Sequence, residues 1–328
     1  MEIGKYIASI LISFVATVCI GPLLIKFLTK LKFGQEILDI GPSWHKKKAG
    51  TPTMGGFMFI IGTVFACIAM GITGVTLGHY EAILPLIFSV CFGFIGFFDD
   101  YIKVVKKRNL GLTARQKIML QLFVAVVFVV TLKLFNFTDT NVSIPFAGIK
   151  DFSWLYYPFA VFVILGTVNS VNLTDGLDGL VSMVTIPPMI FLTAAAFLLK
   201  KSEGAVFTLA LIGGLIGFLI FNFYPAKVFM GDTGSLFLGG AVVTTAFVLD
   251  IPFFIVLFGI IYFCEALSDI IQIGYFKITK GKRIFKMAPI HHHFEKCGWS
   301  EKKIVFVFSF ISAVFSFIAY IALKMFYK

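Results

Sequence analysis

The stretch VFMGDTGSLFLGG, residues 228–240, decides how the chain is read, because it sets one carboxylate, Asp232, at the head of an apolar run. A charge carried into a bilayer costs about 2.5–3.5 kcal/mol on insertion scales and marks a functional position. Working outward, two further acidic groups stand in the same relation to their own apolar segments. They are the pair Asp99 and Asp100 closing FGFIGFFDD, and Asp175 with Asp178 in NSVNLTDGLDGL. Three carboxylate groups at three membrane edges point to one shared site.

The rest of the chain fits that setting. Hydrophobic residues make up 59% of it, 41 of its residues are Phe, and only 14% are charged, which excludes an ordinary soluble domain. The expected class is an all-α polytopic integral membrane protein in which residues 1–328 form a single transmembrane domain. Apolar windows long enough to span a bilayer run near Ile3–Leu28, Gly55–Leu77, Ala82–Phe98, Ile118–Phe135 and Tyr156–Val171. They continue near Leu180–Leu199, Val206–Phe221, Ser235–Leu249, Pro252–Phe276 and Ile304–Phe326. We read these as ten transmembrane helices. The first lacks a small-residue cleavage site and is expected to be retained.

Lys and Arg concentrate in the loops after the first, third and ninth windows, from Lys46–Lys48 through Lys103–Lys117 to Lys277–Lys303. The positive-inside rule makes those loops cytoplasmic and leaves both termini outside. All three acidic groups then lie at the cytoplasmic face. The net charge of +11 belongs mainly to that face, where it also suits anionic lipids or a phosphate-bearing substrate. The outer segment 138–154 reads as a small hairpin without chemistry. Four of the five cysteines lie in apolar windows and none has CxxC spacing, so reduced, structural thiols are expected.

Glycine-rich segments precede three helices expected to start at the cytoplasmic face: GTPTMGG (50–56, with Thr53), TDGLDGL (174–180) and GDTGS (231–235). Such loops entering helix N-termini suit phosphate. Carboxylates would repel that phosphate unless a divalent cation lay between them, so Mg²⁺ or Mn²⁺ is implied. Asp99 and Asp100 diverge by about 100° on a helix, which predicts one metal-linked and one substrate-linked residue. Asn169, Asn172 and Asp175 recur every three residues and would form one polar strip. The run His291, His292, His293 in MAPIHHHFEKCGW offers hydrogen-bond donors or proton carriers beside phosphate rather than a zinc site. No P-loop sequence is present, so the energy of any phosphoryl chemistry must come from the substrate.

Together, FFDD, NSVNLTDGLDGL, FNFYPAKVFMGDTGSL, MAPIHHHFE and HKKKAGTPTMGG resemble the phospho-N-acetylmuramoyl-pentapeptide-transferase branch of the polyprenyl-phosphate N-acetylhexosamine-1-phosphate transferases, over about Gly34–Trp299. The resemblance implies transfer of phospho-MurNAc-pentapeptide from UDP-MurNAc-pentapeptide to undecaprenyl phosphate. The products are lipid I and UMP, formed with Mg²⁺ at the bacterial cytoplasmic membrane as a step of peptidoglycan synthesis. It implies Asp232 as principal metal ligand with Asp100 in support, Asp99 engaging the lipid phosphate, and His291 in the catalytic group. Around the nucleoside and diphosphate it implies Lys48, Asn172, Asp175, Gly176, Leu177, Asp178, Asn222 and Phe229. Lys103 and Arg115 are candidates for the phosphates and sugar, and Thr53, Asn169, His292 and His293 complete the substrate-binding candidates. A homodimer among membrane lipids is expected, and no nucleic-acid partner.

The nearest alternative is a sister enzyme using UDP-GlcNAc. A transporter is disfavoured because the acids sit at one edge and the halves show no inverted repeat. Direct attack by the lipid phosphate and an aspartyl intermediate both remain open from the sequence, with direct attack the simpler expectation.

Overall fold

The computed structural model describes residues 2–31, 50–71, 80–105 and 111–327. Lys48 lies outside them. Within them the regular structure is helical apart from one hairpin. The helices are α1 (Glu2–Lys30), α2 (Gly56–Ala69), α3 (Tyr80–Val105), α4 (Ala114–Leu134), α5 (Tyr156–Thr174) and α6 (Leu180–Leu198). They continue as α7 (Gly204–Asn222), α8 (Gly231–Val248), α9 (Ile255–Phe258), α10 (Ile260–Ile278), α11 (Ile290–Lys296) and α12 (Glu301–Phe326). The hairpin expected between α4 and α5 is present as β1 (Asn141–Ile144) and β2 (Gly148–Asp151), paired antiparallel from Asn141↔Asp151 to Ile144↔Gly148.

Among the described residues, seven helices are long and apolar enough to cross a membrane: α1, α3, α4, α5 with the turn before it, α6, α7 and α12. The ninth window is not one straight helix, as the sequence led us to expect. It breaks at Gly259, and residues 252–258 and α10 meet at 83°; counted as one span, they make eight. The second window is shorter than expected, 14 residues of apolar α2. In α8 the apolar run is diluted by Gly231, Asp232, Thr233, Gly234 and Ser235. That dilution is tolerated because every residue of α8 from Thr233 to Val248 is buried inside the protein, so its surroundings are other helices.

The outer helices show the opposite pattern. Ile3, Leu11, Leu23 and Phe27 of α1, and Phe306, Phe310 and Phe317 of α12, are exposed, as lipid-facing side chains should be. All five cysteines are free, in keeping with the expectation from their spacing.

Small residues let α8 approach its neighbours at backbone distance. A side chain at Gly96 of α3 would run into the backbone carbonyl of Asp232, and one at Gly56 of α2 into the backbone of Gly234. Gly96→Ala should therefore force α3 and α8 apart and cost about 1–3 kcal/mol, the scale of core overpacking. A lowered melting temperature in detergent checks it; an unchanged one would show that the contact is not tight.

Consecutive long helices alternate in direction. The C-terminal ends of α3, α5 and α7 therefore share one end of the bundle with the N-terminal ends of α4, α6 and α8. The hairpin and the α6–α7 turn lie at the other end.

Candidate active site

At that shared end the acidic residues converge. One oxygen from each of Asp99, Asp100 and Asp232 lies within 4.8 Å of the others. Asp99 and Asp100 are 3% and 2% exposed. Their charge is met by two lysines from different helices. Lys103, one turn beyond Asp99 on α3, places Nζ 2.6 Å from Asp99 Oδ2, 2.8 Å from Asp232 Oδ2 and 3.9 Å from Asp100 Oδ1. Lys117 in the first turn of α4 lies 3.1 Å from Asp232 Oδ2 and donates to Asn172 Oδ1 at 3.1 Å. An ammonium group thus already stands among three carboxylates, which shows that the cluster is built around positive charge.

Asp99 and Asp100 diverge as helix geometry requires. Asp99 Oδ1 accepts from the backbone N–H of Leu112 at 2.8 Å, which fastens the entry to α4. Asp100 points at the start of α8. It accepts from the N–H of Asp232 at 3.2 Å, from the N–H of Thr233 at 2.9 Å and from the Thr233 hydroxyl at 2.8 Å. A carboxylate satisfying the first free N–H groups of a helix is an N-cap supplied from another helix.

The glycine segments correct the phosphate-cradle expectation in part. At the start of α8 the N–H groups are spent on Asp100. Before α2, Gly55 and Gly56 donate to the carbonyls of Phe229 and Met230 at 2.8 and 2.9 Å, and Phe229 donates back to Pro52 at 2.8 Å. The loops are stitched to one another, with Gly231 at φ +75 and Thr53 close beside it. Between α5 and α6, Gly179 turns the chain at φ +76.

Asn222 and Asp178 act in the same stitching. Asn222 accepts from Gly179 N at 3.1 Å and donates to Val228 O at 2.9 Å, while Asp178 accepts from Ala226 N at 2.9 Å. Leu177 is buried in the apolar core, so its side chain is packing. Phe229 is half-buried beside this loop. Burial, with the nearby charges of Asp232, Asp100 and Asp178, pushes the Asp175 carboxyl well above the usual carboxylate range.

The polar strip on α5 divides. Asn172 donates to Asp232 Oδ1 at 2.9 Å and to Ser235 Oγ at 2.7 Å, and so belongs to the cluster. Asn169 does not join it. Its amide pairs with Gln121 of α4, donating at 2.7 Å, and holds α4 against α5.

The histidine run also divides, because neighbouring side chains on a helix point apart. His291 Nδ1 lies 2.9 Å from Glu265 Oε2 on α10. His292 Nδ1 lies 2.6 Å from Glu295. His293 Nδ1 accepts from the N–H of Lys286 at 3.1 Å. Arg115 is exposed in the first turn of α4; the basic residue that reaches the cluster from that turn is Lys117. Reading the sequence did not single out Lys117, Gln121 or Glu265. Lys117 and Arg115 are two residues apart in a basic loop, and only helix phase separates them.

Residues 82–250 match the family described as glycosyl transferase family 4, a span that contains the acidic cluster and both lysines. The chain is 50% identical to the phospho-N-acetylmuramoyl-pentapeptide-transferase of Clostridium perfringens, over 97% of this chain and 99% of that protein. It is 47% identical to the protein of the same name from Acetivibrio thermocellus, over 99% and 97%. With that from Listeria welshimeri it shares 45% identity over 94% and 95%.

Proposed function

Since the chain belongs to the phospho-N-acetylmuramoyl-pentapeptide-transferases of glycosyl transferase family 4, we propose that its acidic cluster is where a lipid phosphate meets the nucleotide substrate. The protein is a multi-pass membrane enzyme that transfers phospho-MurNAc-pentapeptide in peptidoglycan synthesis. The donor is UDP-MurNAc-pentapeptide and the acceptor a polyprenyl phosphate, which we take to be undecaprenyl phosphate. An acceptor oxygen attacks the phosphorus that carries the sugar, the bond to the UMP phosphate breaks, and lipid I and UMP leave. One pyrophosphate linkage replaces another, so no further energy source is needed.

The observation that carries this reading is the meeting of three carboxylates and two lysines from α3, α4 and α8 at one end of the bundle. Carboxylates alone would repel both substrates; lysines alone would hold phosphate without metal. The donor set consists of hard oxygens, which fit Mg²⁺. Asp232 would hold it with Asp100, which retains a lone pair for it on Oδ1, since Oδ2 accepts twice and Oδ1 once. Bound there, Mg²⁺ would neutralise the charge that develops on the transferred phosphate. Lys103 and Lys117 would turn from the carboxylates to the phosphates, and Asp99 would accept the lipid phosphate's proton. Direct attack by the lipid phosphate is the simpler course, because charge neutralisation with in-line positioning is sufficient for phosphoryl transfer.

The ten-span topology, with the cluster at the cytoplasmic face, both termini outside and the enzyme in the cytoplasmic membrane, belongs to the same proposal. So does the homodimer. Purified protein given UDP-MurNAc-pentapeptide and undecaprenyl phosphate should release UMP with Mg²⁺, stop on EDTA, and resume when Mg²⁺ is restored. Undiminished release in EDTA would exclude a metal from the cluster.

A further inference from the structure

The acidic cluster leaves one buried ionisable pair unexplained, Glu265 with His291. They are 0% and 1% exposed, joined at 2.9 Å through His291 Nδ1. His291 Nε2 and Glu265 Oε1 are both buried without a hydrogen-bond partner. An ionised carboxylate only accepts, so with Glu265 charged a proton sits on Nδ1. Nε2 is the ring atom left for a ligand, and carrying the second proton, as an imidazolium does, it donates to a phosphate oxygen. An orphaned buried polar atom costs about 1–3 kcal/mol, and a histidine serving only packing would gain by satisfying both nitrogens.

Where Nε2 points gives the cost a purpose. It lies against Gly176, where an added Cβ would strike it, in the loop flanked by Asp175 and Asp178. Other ionisable groups near the pair are Asp269, one turn along α10 and within electrostatic reach of both members, Cys264 beside Glu265, and His292 on α11. The His292 ring is 4.1 Å from that of His291 and is tied to Glu295.

We infer that Glu265 is a positioning residue for the transfer, holding the His291 ring so that Nε2 is presented across Gly176 to the phosphates of the nucleotide substrate. Glu265 itself touches no substrate. The inference rests on the transferase reading above and adds to it the residue that orients His291.

The test is a double-mutant cycle on the purified full-length enzyme, reading kcat for UMP release, KM for UDP-MurNAc-pentapeptide and melting temperature. Glu265→Ala should lower kcat about 10–100-fold, the scale for removing an outer partner that orients a working histidine. Glu265→Gln, whose side-chain carbonyl still accepts from Nδ1, should recover most of that loss. In the His291→Ala background, Glu265→Ala or Glu265→Gln should cost nothing further, because the carboxylate acts only through the ring.

Equal losses in the two backgrounds, full activity in His291→Ala, or a Gln variant that folds as well as the native enzyme yet is as inactive as Ala would each overturn the inference. If Glu265→Ala does not fold, the Gln variant in both backgrounds still decides it. Wild-type protein that released no UMP would instead overturn the transferase reading, so the two failures are distinguishable.

Discussion

Asp232→Asn is expected to lower UMP release by about 100-fold or more, the scale on which a preorganised charge partner acts in a water-poor site. Asp232 is the residue on which the cluster converges. Its Oδ2 takes Lys103 and Lys117, and its Oδ1 takes the Asn172 amide. The amide keeps the shape and one acceptor but removes the charge that pairs both lysines and would hold Mg²⁺. Because Asp232 lies at the edge of the bundle rather than in its apolar core, the melting temperature should change little. A variant retaining activity within about threefold of the native enzyme would show that the convergence does not serve the chemistry.

The second large effect separates two neighbours. Asp100→Asn should reduce both activity and stability, whereas Asp99→Asn should reduce activity with a much smaller loss of stability. Asp100 receives three hydrogen bonds from the first turn of α8. In the amide, one of those positions becomes an N–H group facing N–H donors, and each unsatisfied buried group costs about 1–3 kcal/mol. Asp99 receives one backbone N–H, from Leu112, and the Lys103 ammonium, and its amide can still accept the first. Melting curves and kcat for the two variants check this directly. Equal melting temperatures would mean that Asp100 does not cap α8.

The contrast between these two residues indicates how far the sequence could be read. Their divergence follows from helix geometry, and the sequence reading used it. That Asp100 would face a helix start more than a hundred residues away depends on which helix packs on α3, and no local pattern carries that information. The grouping of Asp99, Asp100, Asp232 and Asn172 was legible because polar residues are rare and expensive in such a chain, so each one stands out. Asn169 stands out for the same reason, but its amide is paired with Gln121. Its partner Gln121 lies on another helix, and a satisfied packing amide looks like a ligand until that partner is known.

The same limit explains Glu265. Its helix α10 reads as part of one continuous apolar window, which in fact bends by 83°, and its partner His291 lies on another helix. Conversely, α8 was recognisable in the sequence by its motif, although its glycines and Thr and Ser weaken it as an apolar span. Its complete burial among other helices reconciles the two.

One measurement tests the central claim most directly: UMP release by the purified enzyme with Mg²⁺ and undecaprenyl phosphate, given either UDP-MurNAc-pentapeptide or UDP-GlcNAc, with Asp232→Asn alongside. The account predicts release from the muramoyl nucleotide alone, lost in the variant. Release from UDP-GlcNAc alone, or release from the muramoyl nucleotide that persists in Asp232→Asn, would contradict it.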